Sequence, residues 1–413
     1  MKKRFILIIY LFFLSFQVFS QTQSLDYYIN KAIKNSPLLN DYHNQLQAGK
    51  LDSLLIRAGE KIQVEANSQV MYAPVVKGWG YDEALTNGAN ISGLVGVKKN
   101  IIDKKVRESA FNGLAIQKKM VGNSIKISVK DIKKAVTAQY LTAFLDYSEI
   151  TFNHIQLEIL KNQLQLLKRL VESGIYKQTD YLSLLVEIQA LDLLITQSNG
   201  QYENDLYSLN LLCGISDPTN VKLVQPEIVD TKELNLEQSP LFMHFRLDSL
   251  KIENEKKIIA DQVRPKLNLF ADAGLMSSTL ENIYKRFGVS GGINLNIPLY
   301  DGGQRKIQIQ KLALSELSRT SYQQFFKSQY NQQIMQLYAE LTVTAKVISQ
   351  INEQLLTLHD FNSMAKIQMG NGLISITEYL SSVKNILTLN KTLNQTSIKR
   401  LQLINELNYL KQQ

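Results

Sequence analysis

Residues 174–182 read GIYKQTDYL, and residues 372–380 read GLISITEYL. The two stretches share glycine, threonine, tyrosine and leucine at matching positions and lie 372 − 174 = 198 residues apart. The same offset joins Asp103 to Asp301. Self-similarity at one large, fixed spacing indicates an internal duplication. We therefore expect two copies of one large unit, and a function that belongs to the pair.

The N-terminus has the organisation of a secretory signal peptide. Three basic residues, Lys2–Arg4, precede an apolar run from Phe5 to Phe19, and Ser20 precedes Gln21. This pattern predicts export with cleavage after residue 20. The alternative is an uncleaved membrane anchor, although the apolar run is short for a spanning helix.

Composition excludes several classes of protein. The net charge of +9 includes three charges from the predicted signal peptide, which leaves 9 − 3 = +6 on the mature chain. Lysines and arginines are scattered among acids, so we find no nucleic-acid signature. The single cysteine, Cys213, permits no intramolecular disulfide, and its distance from Gln21 excludes lipid anchoring through an N-terminal cysteine. We expect Cys213 to be a small buried residue.

Two long stretches contain neither glycine nor proline. One runs between Gly122 and Gly174, and the other runs between Gly303 and Gly370. Both are rich in leucine, isoleucine, glutamine and lysine, which suit long helices. The stretch 304–369 would measure about 100 Å as one helix.

The apolar residues of these stretches follow a coiled-coil spacing. They are separated by steps of three and four along residues 157–171, 184–195 and 348–358. Such a seam packs one helix against another. Gly174 and Gly372 come after the long stretches, and glycine adopts the left-handed conformation that ends a helix without penalty. Each copy is therefore predicted to contain a helical hairpin.

Four segments upstream of the hairpins alternate between apolar and polar residues with a period of two. They are residues 62–70, 91–97, 267–275 and 289–299. Each is about ten residues long, which is the length that a tilted strand needs to cross a bilayer. Tyr72, Trp79 and Tyr81 lie at or beyond a strand end. They are either an interfacial aromatic belt or ordinary loop residues.

Four strands in one chain cannot close a barrel by themselves. Open strand edges are not tolerated in hydrocarbon, so a membrane interpretation requires self-association. Three chains would supply twelve strands, an even number within the range of outer-membrane barrels. The same association would place twelve helices, four from each chain, side by side as a tube. Such an assembly is a conduit.

The duplication, the strands and the hairpins divide the chain into four parts. We expect a signal peptide at 1–20, a first structural repeat at 21–213, an irregular connector at 214–238 and a second structural repeat at 239–413. Each repeat is predicted to contain a helix, a strand pair and a long helical hairpin.

Three motifs carry a resemblance to the TolC-type outer-membrane efflux proteins. Residues 25–37, LDYYINKAIKNSP, resemble the opening helix of that family, and RPKL at 264–267 resembles the entry to its third strand. The most specific match is NIPLYDGG at 296–303. It is similar to the junction between barrel and long helix, where Pro298 would end the strand and Gly302 and Gly303 would redirect the chain.

The first copy departs from this junction motif. Residues 100–105 read NIIDKK and lack both the proline and the paired glycines. The shape of the first junction is therefore left open by the sequence.

The resemblance implies a homotrimer in the outer membrane, with a twelve-stranded barrel and a twelve-helix periplasmic tunnel. It implies a passive duct of a tripartite efflux or type I secretion system, which receives cargo from an inner-membrane pump through a periplasmic adaptor protein. The positions that match the adaptor-docking tips are Gly174, Ile175, Gly372 and Leu373. Cargo, whether drugs, metals or proteins, is not indicated by the sequence.

The resemblance also implies a constriction at the periplasmic aperture. Glu378 matches the first acidic position of the family there. The family's second position lies one helical turn later and is Ser381 in this chain. Asp180 of the first copy is a further candidate. Asp180 and Glu378 also lie near predicted helix starts, where carboxylates stabilise the helix dipole. Capping is therefore the competing interpretation of both acids.

Two other functions fit the sequence less well. An enzyme is disfavoured because His43, His154, His244 and His359 stand alone without metal-ligand spacing, and we expect no cofactor, no metal and no catalytic residue. A secreted or periplasmic coiled-coil scaffold or adhesin would explain the helices and the signal peptide. It would not explain the four alternating segments of membrane-spanning length.

Overall fold

The computed structural model of the chain describes residues 22–74, 76, 78–80, 89–216, 221–231 and 236–411. The predicted signal peptide and Tyr81 lie outside the described residues. In chain order the elements are β1 (Thr22–Gln23), α1 (Leu25–Asn35), α2 (Pro37–Gly59), β2 (Gln63–Tyr72), β3 (Ala89–Ile101), α3 (Lys104–Glu172), α4 (Gln178–Leu212), β4 (Lys222–Leu223), α5 (Pro240–Asp261), β5 (Lys266–Ser277), β6 (Phe287–Asn296), α6 (Gln304–Gly370) and α7 (Ile376–Lys411).

The described residues group into two compact units, each of which draws on both halves of the sequence. One unit comprises the described parts of Met1–Leu39, Lys126–Ser239 and Lys327–Gln413. The other comprises Asn40–Ile125 and Pro240–Phe326 and contains the four long strands. The helices α3 and α6 contribute residues to both units.

The four predicted strands form one antiparallel sheet in the order β2-β3-β5-β6. Its register places Val97 opposite Val64 on one side and opposite Ala271 on the other. Directly opposed residues of an antiparallel pair share a face. The two faces of the sheet therefore follow from the register alone.

One face of the sheet is apolar and the other is polar. The apolar face is formed by the odd-numbered residues of three strands and the even-numbered residues of β2, among them Val64, Ala66, Val70, Ile91, Val95, Val97, Leu267, Leu269, Val289, Ile293 and Leu295. The polar face carries Gln63, Glu65, Asn67, Gln69, Ser92, Lys98, Asn100, Asn268, Asp272, Ser290, Asn294 and Asn296. The predicted alternation is confirmed. Both faces of the outer strands β2 and β6 are largely exposed in the single chain, and the inner strands are more often half-buried.

Both outer strands of this sheet have an unpaired edge within the described residues, because β2 pairs only with β3 and β6 pairs only with β5. No described helix combines enough length and apolarity to cross a bilayer.

The long helices agree with the predicted stretches, with one extension. Helix α6 spans Gln304–Gly370, as the glycine-free stretch indicated. Helix α3 begins at Lys104 and passes through Gly113 and Gly122 without ending. At Gly113 an added Cβ would lie 3.1 Å from the Nδ2 atom of Asn254, so glycine allows α5 to approach closely. Packing explains why this helix tolerates a residue of low helical propensity.

The helical hairpins pack along the predicted seams. Leu157, Leu160 and Leu167 of α3 lie in one buried cluster with Leu184, Ile188, Leu191 and Ile195 of α4, and this cluster extends to Ala365, Met369, Ile376, Leu380 and Val383 of α6 and α7. Burial of each such leucine or isoleucine contributes roughly 1.5–3 kcal/mol. The coiled-coil spacing of residues 157–171 and 184–195 is therefore confirmed as a packed core. In the predicted seam 348–358, Ile351 and Leu355 are buried but lie outside this cluster.

A second core joins the start of the chain to the connector. Tyr140 accepts a hydrogen bond from the Val224 amide at 3.0 Å, and its hydroxyl lies 2.6 Å from the Val224 carbonyl. The Tyr202 hydroxyl donates to the Val221 carbonyl. Cys213 is 1% exposed in this core, and burial raises the pKa of its thiol to about 11. The expectation of a small buried residue at Cys213 is confirmed.

Two half-buried carboxyl groups lie between the two helices of the first hairpin. Asp146 of α3 lies near Asp205 of α4, and the amide of Gln139 donates to Asp205 at 3.2 Å. Desolvation, followed by interaction with Asp205 and repulsion from Glu149, raises the pKa of Asp146 from 3.8 to about 7. The native state therefore keeps a proton that the unfolded chain loses at lower pH.

We expect Asp146 to lower the stability of the protein as pH rises from about 4 to about 7, because the folded state holds the extra proton throughout that window. Asp146→Asn should remove this dependence and stabilise the protein at pH 8 by at most about 4 kcal/mol. The measurement is the thermal midpoint of both proteins at pH 5 and pH 8. The control is Asp192→Asn, an exposed position of α4. Identical pH profiles of Asp146→Asn and wild type would contradict the assignment.

Candidate functional site

The first helical tip ends α3 with a left-handed glycine. Gly174 has φ +78°, its N–H donates to the Val171 carbonyl at 2.9 Å, and the Ile175 N–H donates to the Leu170 carbonyl at 2.9 Å. This pair of bonds is a Schellman motif, which satisfies carbonyls left free at the helix end. Ile175 is then left 53% exposed at the turn.

The second tip ends α6 in the same way. Gly372 has φ +71°, its N–H donates to the Met369 carbonyl at 3.1 Å, and the Leu373 N–H donates to the Gln368 carbonyl at 2.8 Å. Leu373 is 72% exposed. The two copies therefore repeat the turn geometry as well as the sequence, each presenting an aliphatic residue after its glycine.

The two tips contact each other within one chain. A Cβ on Gly372 would lie 2.8 Å from the Cγ2 atom of Ile175. The Tyr176 hydroxyl lies 2.6 Å from the Ile374 carbonyl and 2.9 Å from the Met369 carbonyl. Burial, with smaller contributions from Asp180 and Glu378, raises the pKa of Tyr176. The glycine at 372 is required both by its backbone angle and by the neighbouring Ile175.

Tyr176 is a tip residue that the sequence analysis missed. It corresponds to Ile374 at the 198-residue offset, and its hydroxyl contacts the carbonyl of that same residue. The sequence signal is a difference between the two copies, tyrosine in one and isoleucine in the other, whereas the predicted tip residues occupy positions that the copies share.

We expect Gly372→Ala to destabilise the protein more than Gly174→Ala. Both replacements force a side chain into positive φ, which costs roughly 1–2 kcal/mol, but only the first also displaces Ile175, since nothing lies within 4 Å of a Cβ at Gly174. Thermal unfolding of the purified variants measures the difference. The double variant Ile175→Ala with Gly372→Ala should recover part of the extra loss. Equal losses in the two single variants would contradict this contact.

Both acids of the predicted aperture cap the helices that follow the tips. Asp180 accepts a hydrogen bond from the Lys177 N–H at 2.9 Å, and Glu378 accepts one from the Ser375 N–H at 3.1 Å. The Ser375 hydroxyl in turn accepts from the Glu378 N–H, which completes a capping box. The capping interpretation therefore describes both acids within one chain. Ser381 is exposed on α7.

The second strand-to-helix junction has the predicted turn. Strand β6 ends at Asn296, two residues before Pro298, and Gly302 and Gly303 have φ +65° and +81°. The Asp301 carboxylate accepts hydrogen bonds from the Gly303 and Arg305 amides at 2.9 and 3.1 Å. These bonds hold the pKa of Asp301 below its usual range. Asp301 thus caps the start of α6.

The first junction, which the sequence left open, is shorter. Strand β3 runs to Ile101 and α3 begins at Lys104, so two residues make the turn. The Asp103 carboxylate accepts from the Lys105 amide at 2.8 Å and lies 3.4 Å from the Arg264 guanidinium. Asp103 and Asp301 are paired by the 198-residue offset, and both cap the start of a long helix. The paired glycines are present only at the second junction, after Asp301.

The search for a metal site among the described residues gave a negative result. No group of three or more His, Cys, Asp or Glu side chains in this part of the chain could hold a metal ion. The tip and junction residues form helix turns and caps.

Comparison with known proteins bears on the fold. The structure is similar to the outer membrane protein VceC from Vibrio cholerae, with a TM-score of 0.72 and 13% sequence identity over 94% of this chain and 95% of that chain. It is similar to CusC, described as forming a transmembrane channel, with a TM-score of 0.71 and 14% identity over 94% and 91% of the two chains. It is also similar to the open state of the MtrE outer membrane channel of Neisseria gonorrhoeae, with a TM-score of 0.70 and 11% identity over 94% and 88%.

A scan of protein-family models and a search of curated proteins found no match to the chain. At 11–14% identity, the likeness to solved structures concerns the fold and not the activity. The resemblance read from the sequence motifs is confirmed at that level. The chain has the fold of the outer membrane protein VceC, of CusC and of the MtrE outer membrane channel.

Proposed function

We propose that the protein is the subunit of a passive outer-membrane exit duct of a tripartite efflux or type I secretion system. It would reside in the outer membrane with its helices in the periplasm and catalyse no reaction. Cargo would arrive from an inner-membrane pump through a periplasmic adaptor protein. The channel proteins of the same fold support this proposal.

The observation that carries the proposal is the two-faced sheet with open edges. Its apolar face is fit for lipid and its polar face for water. In hydrocarbon each unsatisfied backbone group costs several kcal/mol, so the unpaired edges of β2 and β6 need partners. Edge pairing between β6 of one chain and β2 of the neighbouring chain would remove both edges. Three chains would close a barrel of twelve strands.

Exposed apolar side chains on the helices give separate support for self-association. Leu182, Val186 and Leu193 of α4 are between 48 and 60% exposed, and Leu314 and Leu317 of α6 are each 66% exposed. Apolar residues at helical spacing that a single chain leaves open suit a neighbouring helix. In a trimer such faces would close a tunnel of helices.

The tips are the proposed docking surface for the adaptor. Gly174 and Gly372 keep the turns compact, and Ile175 and Leu373 supply exposed aliphatic contact area. Exposed apolar residues surrounded by polar ones are typical of protein interaction sites. The adaptor would therefore present an apolar helical turn to this surface.

The aperture is proposed to lie just beyond the tips, at Asp180, Glu378 and Ser381. Both acids contribute to raising the pKa of Tyr176. Three chains would bring six carboxylates to one level of the proposed tunnel. In the same proposal, residues 21–213 and 239–413 are the two structural repeats and residues 214–238 connect them.

Conductance of the purified protein in a planar lipid bilayer tests the proposal. A duct should give stepwise increases in current. A coiled-coil scaffold or adhesin should give none and should be recovered from the soluble periplasmic or extracellular fraction. Genes that neighbour this one would then indicate the cargo, since a proton-driven pump suggests drugs or metals and an ATP-driven exporter suggests proteins.

A further inference from the structure

The helices that connect to the four-stranded sheet contact one another in the same order as its strands, α2-α3-α5-α6. Helices α2 and α3 together line one cavity. The Asn254 amide of α5 donates to the Ser109 carbonyl of α3 at 3.1 Å. The ring centroids of Phe245 in α5 and Phe326 in α6 lie 5.6 Å apart. Within the described residues, α2 and α6 therefore lie at the two ends of this row, as β2 and β6 lie at the two ends of the sheet.

Helix α2 turns one side to α3 and leaves the opposite side uncovered. The half-buried residues of α2 recur at steps of three and four, at Tyr42, Leu46, Gly49, Ser53 and Ile56. Leu51, Leu54 and Leu55 are instead between 57 and 68% exposed. At 3.6 residues per turn, they project from the side of the helix that faces away from α3. These three leucines form the α2 edge.

Helix α6 has the same arrangement with respect to α5. Glu316 and Arg319 of α6 are hydrogen-bonded to α5. Ile307, Leu314 and Leu317 are between 64 and 66% exposed and project from the opposite side of the helix. These three residues form the α6 edge. An apolar stripe opposite a packed face suits contact with a second helix, because that contact removes the stripe from water.

The connections to the sheet decide which edges of two chains can meet. Helix α2 ends at Gly59, just before β2, and α6 begins at Gln304, soon after β6. Both helices therefore attach at the same end of the sheet. In the proposed function, on which this step rests, β6 of one chain pairs with β2 of its neighbour. That pairing brings the start of α6 beside the end of the neighbour's α2, so the two helices run antiparallel.

Charges beside the two edges are complementary at matching positions. Asp52 lies seven residues before the end of α2, and Lys311 lies seven residues after the start of α6 (59 − 52 = 311 − 304 = 7). Both side chains are exposed in the single chain. In an antiparallel pair such positions lie at the same height, where a carboxylate and an ammonium attract each other. Opposite charges beside an apolar seam select the partner helix and its orientation.

We propose that the α2 edge of one chain packs against the α6 edge of a second copy of the same chain, with Asp52 paired to Lys311 across the contact. Each chain would contribute one edge of each kind, so that the contact repeats around a closed ring. The same arrangement places Leu55 opposite Ile307, because each lies within four residues of the end of its helix that is nearer the sheet.

Disulfide cross-linking of the full chain in isolated membranes tests this contact. The only native cysteine, Cys213, is 1% exposed and does not compete. Leu55→Cys combined with Ile307→Cys should give, under mild oxidation, bands of two and three chains on a denaturing gel. The matched control is Leu55→Cys combined with Gln308→Cys, since Gln308 is exposed and adjacent in sequence but turned about 100° away around the helix. The control should remain a single chain.

Charge exchange tests the ion pair separately. Asp52→Lys places two ammonium groups together and should lower the yield of the cross-link between positions 55 and 307. Adding Lys311→Asp restores opposite charges and should recover the yield. An unchanged yield in Asp52→Lys, or no recovery in the combined variant, would remove the ion pair from the contact. Circular dichroism identifies any variant that fails to fold.

Three results would overturn the helix contact. A cross-link confined to single chains would show that α2 and α6 of the same chain meet instead. Equal cross-linking of the Gln308→Cys control would show that the α6 edge is not the contacting side. A wild type that conducts in a bilayer, without the cross-link between positions 55 and 307 in the paired variant, would overturn the helix contact alone. A monomer that does not conduct would overturn the duct proposal as well.

Discussion

Ala66→Arg is expected to remove the protein from the outer membrane, whereas Asn67→Arg is expected to leave it there. The two residues are adjacent in β2 and both are exposed in the single chain, but Ala66 lies on the apolar face of the sheet and Asn67 on the polar face. An arginine on the lipid face of a barrel costs about 2–4 kcal/mol at the bilayer midplane. Each of the three chains of the proposed assembly would bear that cost.

The measurement is the amount of protein in the outer-membrane fraction after expression of each variant with residues 1–20 in place. Asn67→Arg serves as the matched control for expression and export, because it adds the same side chain to the same strand. Its arginine would face the lumen, so a change in conductance is expected for it and a loss of the protein is not. Equal recovery of both variants in the membrane would contradict the assignment of the faces.

Leu373→Glu is expected to abolish export of cargo while the protein remains assembled in the membrane. Leu373 is exposed at the second tip and has no positive φ, so the substitution changes the proposed docking surface without straining the turn. A carboxylate buried against an apolar partner without a counter-charge is strongly unfavourable. The loss should therefore appear in activity and not in stability.

Export is measured in cells that carry the cognate pump and adaptor, and binding is measured by cross-linking to the adaptor. Ser363→Glu adds the same charge to an exposed position of α6 away from the tip and should export normally. Normal export by Leu373→Glu would remove the tip from the docking surface. A complex that falls apart in this variant would assign Leu373 to assembly instead.

The strands and the helical tips could be predicted from the sequence because each leaves a local periodic signal. A period of two marked four strands, and the register of Val64, Val97 and Ala271 confirms their common face. The steps of three and four marked the hairpin core, and a glycine marked each turn. These signals depend on neighbours within a few residues, so one sequence is enough to read them.

The contacts between residues that are far apart in the sequence could not be predicted in the same way. Tyr176 reaches the carbonyl of Ile374, and Asp146 meets Asp205, through separations in sequence that no local pattern encodes. The extension of α3 through Gly113 was missed for a related reason, since the glycine is explained by the approach of Asn254 from another helix. The aperture acids had two interpretations in the sequence, and their capping bonds are explicit only in three dimensions.

The mass of the complex extracted from the membrane in mild detergent tests the central claim most directly. In the proposed duct the apolar face of the sheet meets lipid and its two unpaired edges need partners, so four strands per chain predict an assembly of three chains. A complex of three chains is the predicted result. A monomer that stays in aqueous solution without detergent would contradict the account, because the apolar face would then need neither lipid nor a partner.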